Sequence, residues 1–278
     1  MTNLIQRIFT GLILVIVIFY SIIYGPFSFI LLMLLINVLG LLEFYRLFNF
    51  YTPLPRNIFG VILSAGILIT CILVVSGTCD WRALLVNIPL AFGIFLAELY
   101  LRSKDPFQNL AFIFLGIIYI TIPLCFFMAL TVLPPAPGHY PTGYYPYLVL
   151  GYFFILWSND SGAYFAGKYL GKRPLFLRLS PKKTWEGSLG GAVCAMTLAY
   201  FLNGIFSTLS RVEWISIALI IIVTGTYGDL IKSMMKRSLN IKDSGTILPG
   251  HGGILDRFDS LLGSAPFVFC YLALTGHV

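Results

Sequence analysis

Long apolar stretches separated by short polar interruptions run through the whole chain. A bilayer core about 30 Å thick takes roughly 20 mostly apolar residues per helix. Segments near 8–24, 26–42, 57–75, 83–101, 107–132, 147–166, 186–206, 213–231 and 261–276 read as nine such helices. The first two meet at Gly25-Pro26, and the sixth runs into polar residues near its end. The expected fold class is all-α, a polytopic integral membrane protein.

The basic residues test that count. Arg7, Arg46, Arg56, Arg102, Lys104, the cluster from Lys168 to Lys183, the group Lys232 to Lys242, and Arg257 all fall on one side of a nine-span arrangement. Only Arg82 and Arg211 fall on the other. Short loops rich in Lys and Arg face the cytoplasm, so the N-terminus is expected inside and the C-terminus outside.

Composition agrees with the pattern. Hydrophobic residues make up 58% of the 278 and charged residues 10%, against about 25% charged in an ordinary soluble domain. A disordered chain, a disulfide scaffold and a soluble nucleic-acid binder are excluded, and the net charge of +7 is a loop property rather than a DNA footprint. The five cysteines form no C-x-x-C pair and read as small buried hydrophobes. Residues 1–146 read as a transmembrane scaffold. Residues 147–278 read as a catalytic transmembrane region with cytoplasmic loops 167–185 and 232–260; seven of the eleven acidic residues lie there.

Three constellations carry candidate chemistry. The stretch Ser233–Asp259 holds Lys236, Arg237, Lys242 and Arg257, the carboxylates Asp243, Asp256 and Asp259, His251, and glycines that include Gly245, Gly252 and Gly253. Glycine lets backbone approach a phosphate closely, and backbone amides can form an anion nest. Carboxylates suit Mg²⁺, which takes one or two of them together with substrate phosphates. A solvated basic loop would explain the Lys and Arg but not three Asp beside His-Gly-Gly. The second constellation is Asp229, near the end of an apolar helix, where an acidic residue is costly and signals function. It shares helical spacing with Ser233 and Lys236; a structural pairing with Lys232 is the plainer alternative. The third is Ser158–Gly191. Ser158, Asn159, Asp160 and Ser161 interrupt a helix and are expected to face a wet cavity. Ser180, Lys182, Lys183 and Thr184 lead into the next helix, which Ser180 or Thr184 would cap; a patch on anionic headgroups would use the same cations. Glu43 and Glu98 are expected to pair with Arg46 and Arg102. His139 and His277 are expected to be structural or incidental.

Ser233, Lys236-Arg237, Lys242-Asp243, Gly245, Leu248-Pro249, His251-Gly252-Gly253, Asp256-Arg257 and Asp259 resemble the signature of phosphatidate cytidylyltransferases. Asp160–Phe165, Ser180–Gly187 and Gly228-Asp229-Leu230 are similar to that family as well, with one departure, Ser161 in place of threonine. The motifs span about 158–260; the first half resembles the family in hydropathy alone. The resemblance implies that CTP and phosphatidate give CDP-diacylglycerol and pyrophosphate, with Mg²⁺ and with room for a second cation. It also implies a homodimer in a membrane, here expected to be the bacterial inner membrane.

On that basis Asp229 and Asp256 are the expected metal ligands, and with Lys236 and Arg257 the expected catalytic residues. Asp160, Ser180, Lys182, Lys183, Arg237, Lys242, Asp243, His251, Gly252, Gly253 and Asp259 are the expected substrate contacts. An anion transporter would place its charges at the midplane between repeats, whereas these cluster on one side. A lipid kinase using CTP would release CDP instead of pyrophosphate. The CDP-alcohol phosphotransferase pattern D-G-x-x-A-R…G-x-x-x-D-x-x-x-D is absent.

Overall fold

The computed structural model describes residues 2–48, 54–101, 104–133, 143–241, 244–245 and 252–277. Each of the nine expected apolar segments falls on helix. Six helices are long and apolar enough to cross a membrane among the described residues: Pro26–Leu47, Asn57–Val75, Trp81–Tyr100, Pro106–Ala129, Trp185–Ile205 and Arg211–Ser238. The chain is an all-α membrane protein with one addition that the apolar pattern did not signal, a short β-hairpin.

The chain forms two compact units, Met1–Val132 with Asp243–Arg257, and Leu133–Lys242 with Phe258–Val278. The segment Asp243–Arg257 joins the first unit although it lies late in the chain.

The first unit contains α1 (Thr2–Tyr24), α2 (Pro26–Leu47), α3 (Leu54–Val75), a 3₁₀ turn (Trp81–Val86) into α4 (Asn87–Tyr100), α5 (Pro106–Gly116) and α6 (Ile122–Ala129). A π turn, Ile117–Thr121, joins α5 to α6. Pro123 has no N–H for the helical ladder at this point, which favours the looser turn. Met33, Leu41, Phe44, Leu68 and Leu124 form the dry core. Polar cross-links join the helices within it. Asn37 donates to Ser64 at 3.0 Å and accepts from Thr121 at 2.9 Å, and Asn109 donates to the buried Glu98. In an apolar environment such bonds tie helices together without any hydrophobic drive between them.

The second unit contains α7 (Pro146–Leu170), β1 (Pro174–Phe176), β2 (Ser180–Thr184), α8 (Trp185–Ile205), α9 (Arg211–Ser238) and most of α10 (Leu255–Leu274). The strands pair antiparallel, Pro174 opposite Thr184 and Phe176 opposite Ser180. Small residues set the helix spacing. A Cβ at Gly190 would stand 2.2 Å from Ala166 Cβ, and one at Gly191 would stand 2.6 Å from the Asn159 carbonyl, so α7 and α8 meet backbone to backbone. A Cβ at Gly263 would stand 2.6 Å from Gly228 Cα, which brings α9 and α10 equally close. Ser210 and Glu213 form a capping box at the start of α9. His277, buried near the end of the chain, bonds Glu213 at 2.8 Å, so it is structural rather than incidental.

Candidate active site

The close crossing of α9 on α10 places Asp229, one residue after Gly228, beside Asp259, four residues before Gly263. Their carboxylates stand close enough to pair with one and the same lysine. Like charges this close need cations. Lys232, one turn along α9 and 4% exposed, lies 3.6 Å from Asp229 and also pairs with Asp259. Lys183, from β2, pairs with Asp229 from the other side. Asp160, on α7, feels both the Lys183 ammonium and the Asp229 carboxylate. Three carboxylates and two ammonium groups thus converge from α7, β2, α9 and α10.

Beside them opens a cavity of about 420 Å³ lined by Asn159, Asp160, Tyr164, Lys168, Lys182, Lys183, Thr184, Ser188, Thr226 and Ser260, among others. The start of α8 faces it. Thr184 caps that helix by accepting from the Gly187 N–H at 3.1 Å. Exposed amides at a helix start, three lysines and several hydroxyls suit a multiply charged anion. The hairpin holds two of the lysines in place. Glu186 accepts from the Lys172 and Arg173 N–H groups at 3.0 and 3.1 Å, and Trp185 N–H donates to the Arg173 carbonyl at 2.9 Å.

The expected polar interruption of α7 divides in two. Asn159 and Asp160 face the cavity, whereas Ser158 and Ser161 line a separate apolar groove with Gly162, Phe165 and Cys194. Four consecutive helical residues span a full turn and cannot share one face. Ser180, expected as a cap or contact, sits mid-hairpin opposite Phe176, and Thr184 alone is the cap. On the same helix as Asp229, Lys236 is partly buried, and Arg237 is exposed and donates to the Ile241 carbonyl at 3.4 Å.

The chain was compared with known proteins. Residues 5–275 match the model of the cytidylyltransferase family. The chain belongs to that family. It is 34% identical over 281 residues to the phosphatidate cytidylyltransferase of Bacillus subtilis, covering 99% of each chain. It is 32% identical over 286 residues to that of Haemophilus influenzae, covering 94% of this chain and 96% of the relative. It is 34% identical over 244 residues to that of Staphylococcus saprophyticus, covering 86% and 88%. As a cytidylyltransferase the protein is an enzyme, a nucleotidyl-transferring one, and its apolar helices are those of a membrane-bound member.

The signature segment of this cytidylyltransferase begins in the second unit, passes into the first at Asp243 and returns to the second at Phe258. Lys242, Asp243 and His251 lie outside the described residues. Asp256, on the first turn of α10, belongs to the first unit, and its Oδ2 accepts from Ser244 N–H at 3.1 Å, Ser244 Oγ at 3.0 Å and Gly253 N–H at 3.3 Å. Gly252 holds φ +82°, a conformation that favours glycine. Arg257 is exposed. Among the described residues no group of three His, Cys, Asp or Glu side chains forms a ready cluster of metal ligands.

Sequence reasoning missed two residues here. In the sequence Lys232 enters only through the plainer alternative of a structural pairing with Asp229, yet it bridges two carboxylates. Glu43 was expected to pair with Arg46. Instead its carboxylate takes the Ser244 hydroxyl and, at 2.6 Å, the Ile254 N–H. Glu98 likewise meets Asn109, while its expected partner Arg102 lies outside the described residues.

Proposed function

We propose that the protein transfers the cytidylyl group from CTP to phosphatidate, giving CDP-diacylglycerol and pyrophosphate. The observation that carries this reading is full-length similarity to phosphatidate cytidylyltransferases in a chain whose cation-lined cavity adjoins clustered carboxylates. An oxygen of the lipid phosphate attacks the α-phosphorus of CTP. A new P–O–P link forms, the α–β anhydride breaks, and pyrophosphate leaves with the bonding electrons. The attacking oxygen is already anionic near neutral pH, so no general base is needed.

Catalysis then rests on holding two anions together and spreading their charge. Lys168, Lys182 and Lys183 neutralise phosphate oxygens, and the start of α8 supplies N–H donors to them. Asp256, in the first unit, is an expected metal ligand; within the second unit Asp229 and Asp259 would be the donors for Mg²⁺. Their oxygens suit a hard cation, and two ammonium groups already stand against them. Mg²⁺ when bound supplies positive charge to the phosphates in the transition state.

The protein crosses the bacterial inner membrane nine times and acts as a homodimer, with its N-terminus and its site facing the cytoplasm. CTP reaches such a site from water, and phosphatidate reaches it without leaving the leaflet. The test is pyrophosphate release by detergent-solubilised protein given Mg²⁺, CTP and phosphatidate, each omitted in turn. Release that requires all three, with a CDP-linked lipid formed, is the expected result. CDP as the product would make the enzyme a lipid kinase, and an absence of release from folded, CTP-binding protein would overturn the reading.

A further inference from the structure

We propose that Glu43 is a positioning residue for the reaction: its buried carboxyl group, acting through Ser244, sets the orientation of Asp256 and pins the glycines of the signature segment. The inference rests on the proposed function, in which Asp256 serves the reaction, but its geometry lies wholly within the first unit.

Glu43 sits on α2 and is 2% exposed. A carboxyl group buried among apolar helices is costly unless its oxygens are used. Both are used, and by a segment more than 200 residues away: Oε1 by the Ser244 hydroxyl and Oε2 by the Ile254 N–H at 2.6 Å. Ser244 in turn presents its N–H and its Oγ to Oδ2 of Asp256, at 3.1 and 3.0 Å. A hydroxyl carries one proton. The Ser244 Oγ stands between the two carboxyl groups, so its direction of donation couples them. Two N–H donors and, when its proton turns that way, the Ser244 hydroxyl meet one oxygen of Asp256 and fix the plane of that carboxylate, and Glu43 fixes the serine that supplies two of the three.

The glycines carry an independent observation. A Cβ on Gly253 would fall 1.8 Å from Glu43 Oε1, and one on Gly245 would fall 2.9 Å from Glu43 Cδ. Neither glycine has a positive φ, so backbone conformation does not require them. What requires them is the close approach of the segment to Glu43. Glycines in such a segment are expected to let backbone approach a phosphate. At 245 and 253 the group approached is the protein's own carboxyl.

The experiment uses the full chain in detergent, with two readouts. One is steady-state pyrophosphate release at varied CTP and phosphatidate. The other, taken without nucleotide or metal, is amide hydrogen exchange at Ser244, Gly253 and Ile254. Glu43→Ala is expected to lower kcat by about 100-fold or more with little change in the KM for CTP, the pattern of misplaced groups in a site that still binds. It is also expected to speed exchange at the three amides. Glu43→Gln keeps an oxygen for the Ile254 N–H and offers its own N–H to Ser244 Oγ, whose proton then goes to Asp256. It is expected to stay within about threefold of the native kcat, since each hydrogen bond has a replacement. Ser244→Ala is expected to lower kcat as well and, if Glu43→Ala does not fold, serves in its place. Combined with Glu43→Ala, it should add little, because the two act as one unit.

Unchanged exchange in folded Glu43→Ala would overturn the proposal. Glu43→Gln as inactive as Glu43→Ala would also overturn it, because the charge itself would then be what the reaction uses. A drop in folded yield with kcat per folded molecule intact would reduce Glu43 to a stability role, with the same consequence. Native protein that releases no pyrophosphate defeats the proposed function instead, while the exchange readout still reports on the contact.

Discussion

Lys232 offers the most direct test of how the carboxylate cluster is held. It is 4% exposed and lies between two carboxylates, 3.6 Å from Asp229. At an effective dielectric constant of about 20, one such separation corresponds to roughly 5 kcal/mol of attraction. Desolvation of the lysine offsets much of this in the intact protein. Lys232→Met removes the attraction but leaves Asp229 and Asp259, both partly withdrawn from solvent, facing each other. Breaking a buried pair in this way costs about 3–5 kcal/mol. The expected outcome is a loss of that size in the unfolding free energy, measured by reversible denaturation in detergent micelles, with pyrophosphate release falling in parallel. The double variant Lys232→Met, Asp259→Asn should regain most of the stability, because Asp229 keeps Lys183 and no second carboxylate is stranded. Its activity should stay low if Asp259 serves the reaction. A single variant within about 0.5 kcal/mol of the native protein, the range of ordinary surface changes, would refute the reasoning.

Other expectations concern spacing and placement. Gly263→Ala should push α10 off α9, since the new Cβ would stand 2.6 Å from Gly228 Cα; activity should fall more than stability, read as kcat against the midpoint of thermal unfolding. Gly151→Ala drives a methyl group to 2.3 Å from the buried Trp214 ring and should cost about 1–3 kcal/mol. Trp214→Phe in the same chain should relieve part of it, and calorimetry in detergent reads both. Glu186→Ala removes the acceptor for the Lys172 and Arg173 amides. The hairpin that carries Lys182 and Lys183 then loosens, and the KM for CTP should rise several-fold with kcat less affected.

The sequence was most legible where charge interrupts apolar helix. Asp160 and Asp229 stand out because so few residues of their kind occur in such segments, Asp259 because it closes the glycine- and cation-rich segment from Ser233, and all three do converge. Their partners were not legible. Glu43 lies three residues before Arg46, the spacing of a helical ion pair, so the local reading was natural. Its actual partners are 201 and 211 residues away. The hairpin was hidden for a different reason. Its strands carry two prolines and two lysines, residues depleted in sheets, and backbone pairing with support from Glu186 holds them together. The cysteines show the same limit from the apolar side. Cys79, Cys194 and Cys270 are exposed, against expectation, and only Cys125 is fully buried. In a soluble protein an apolar residue within a helix tends to face the core. Here lipid is as apolar as the interior, so hydrophobicity marks the span and leaves its inner face unmarked. What marks the inner face is small or polar. Gly190 and Gly191 seat α8 on α7, Gly228 and Gly263 seat α9 on α10, and Asn37 bonds two neighbours across the first unit. In this protein those residues, rather than the hydrophobic ones, decide which helix surfaces meet, and therefore which carboxylates share a site.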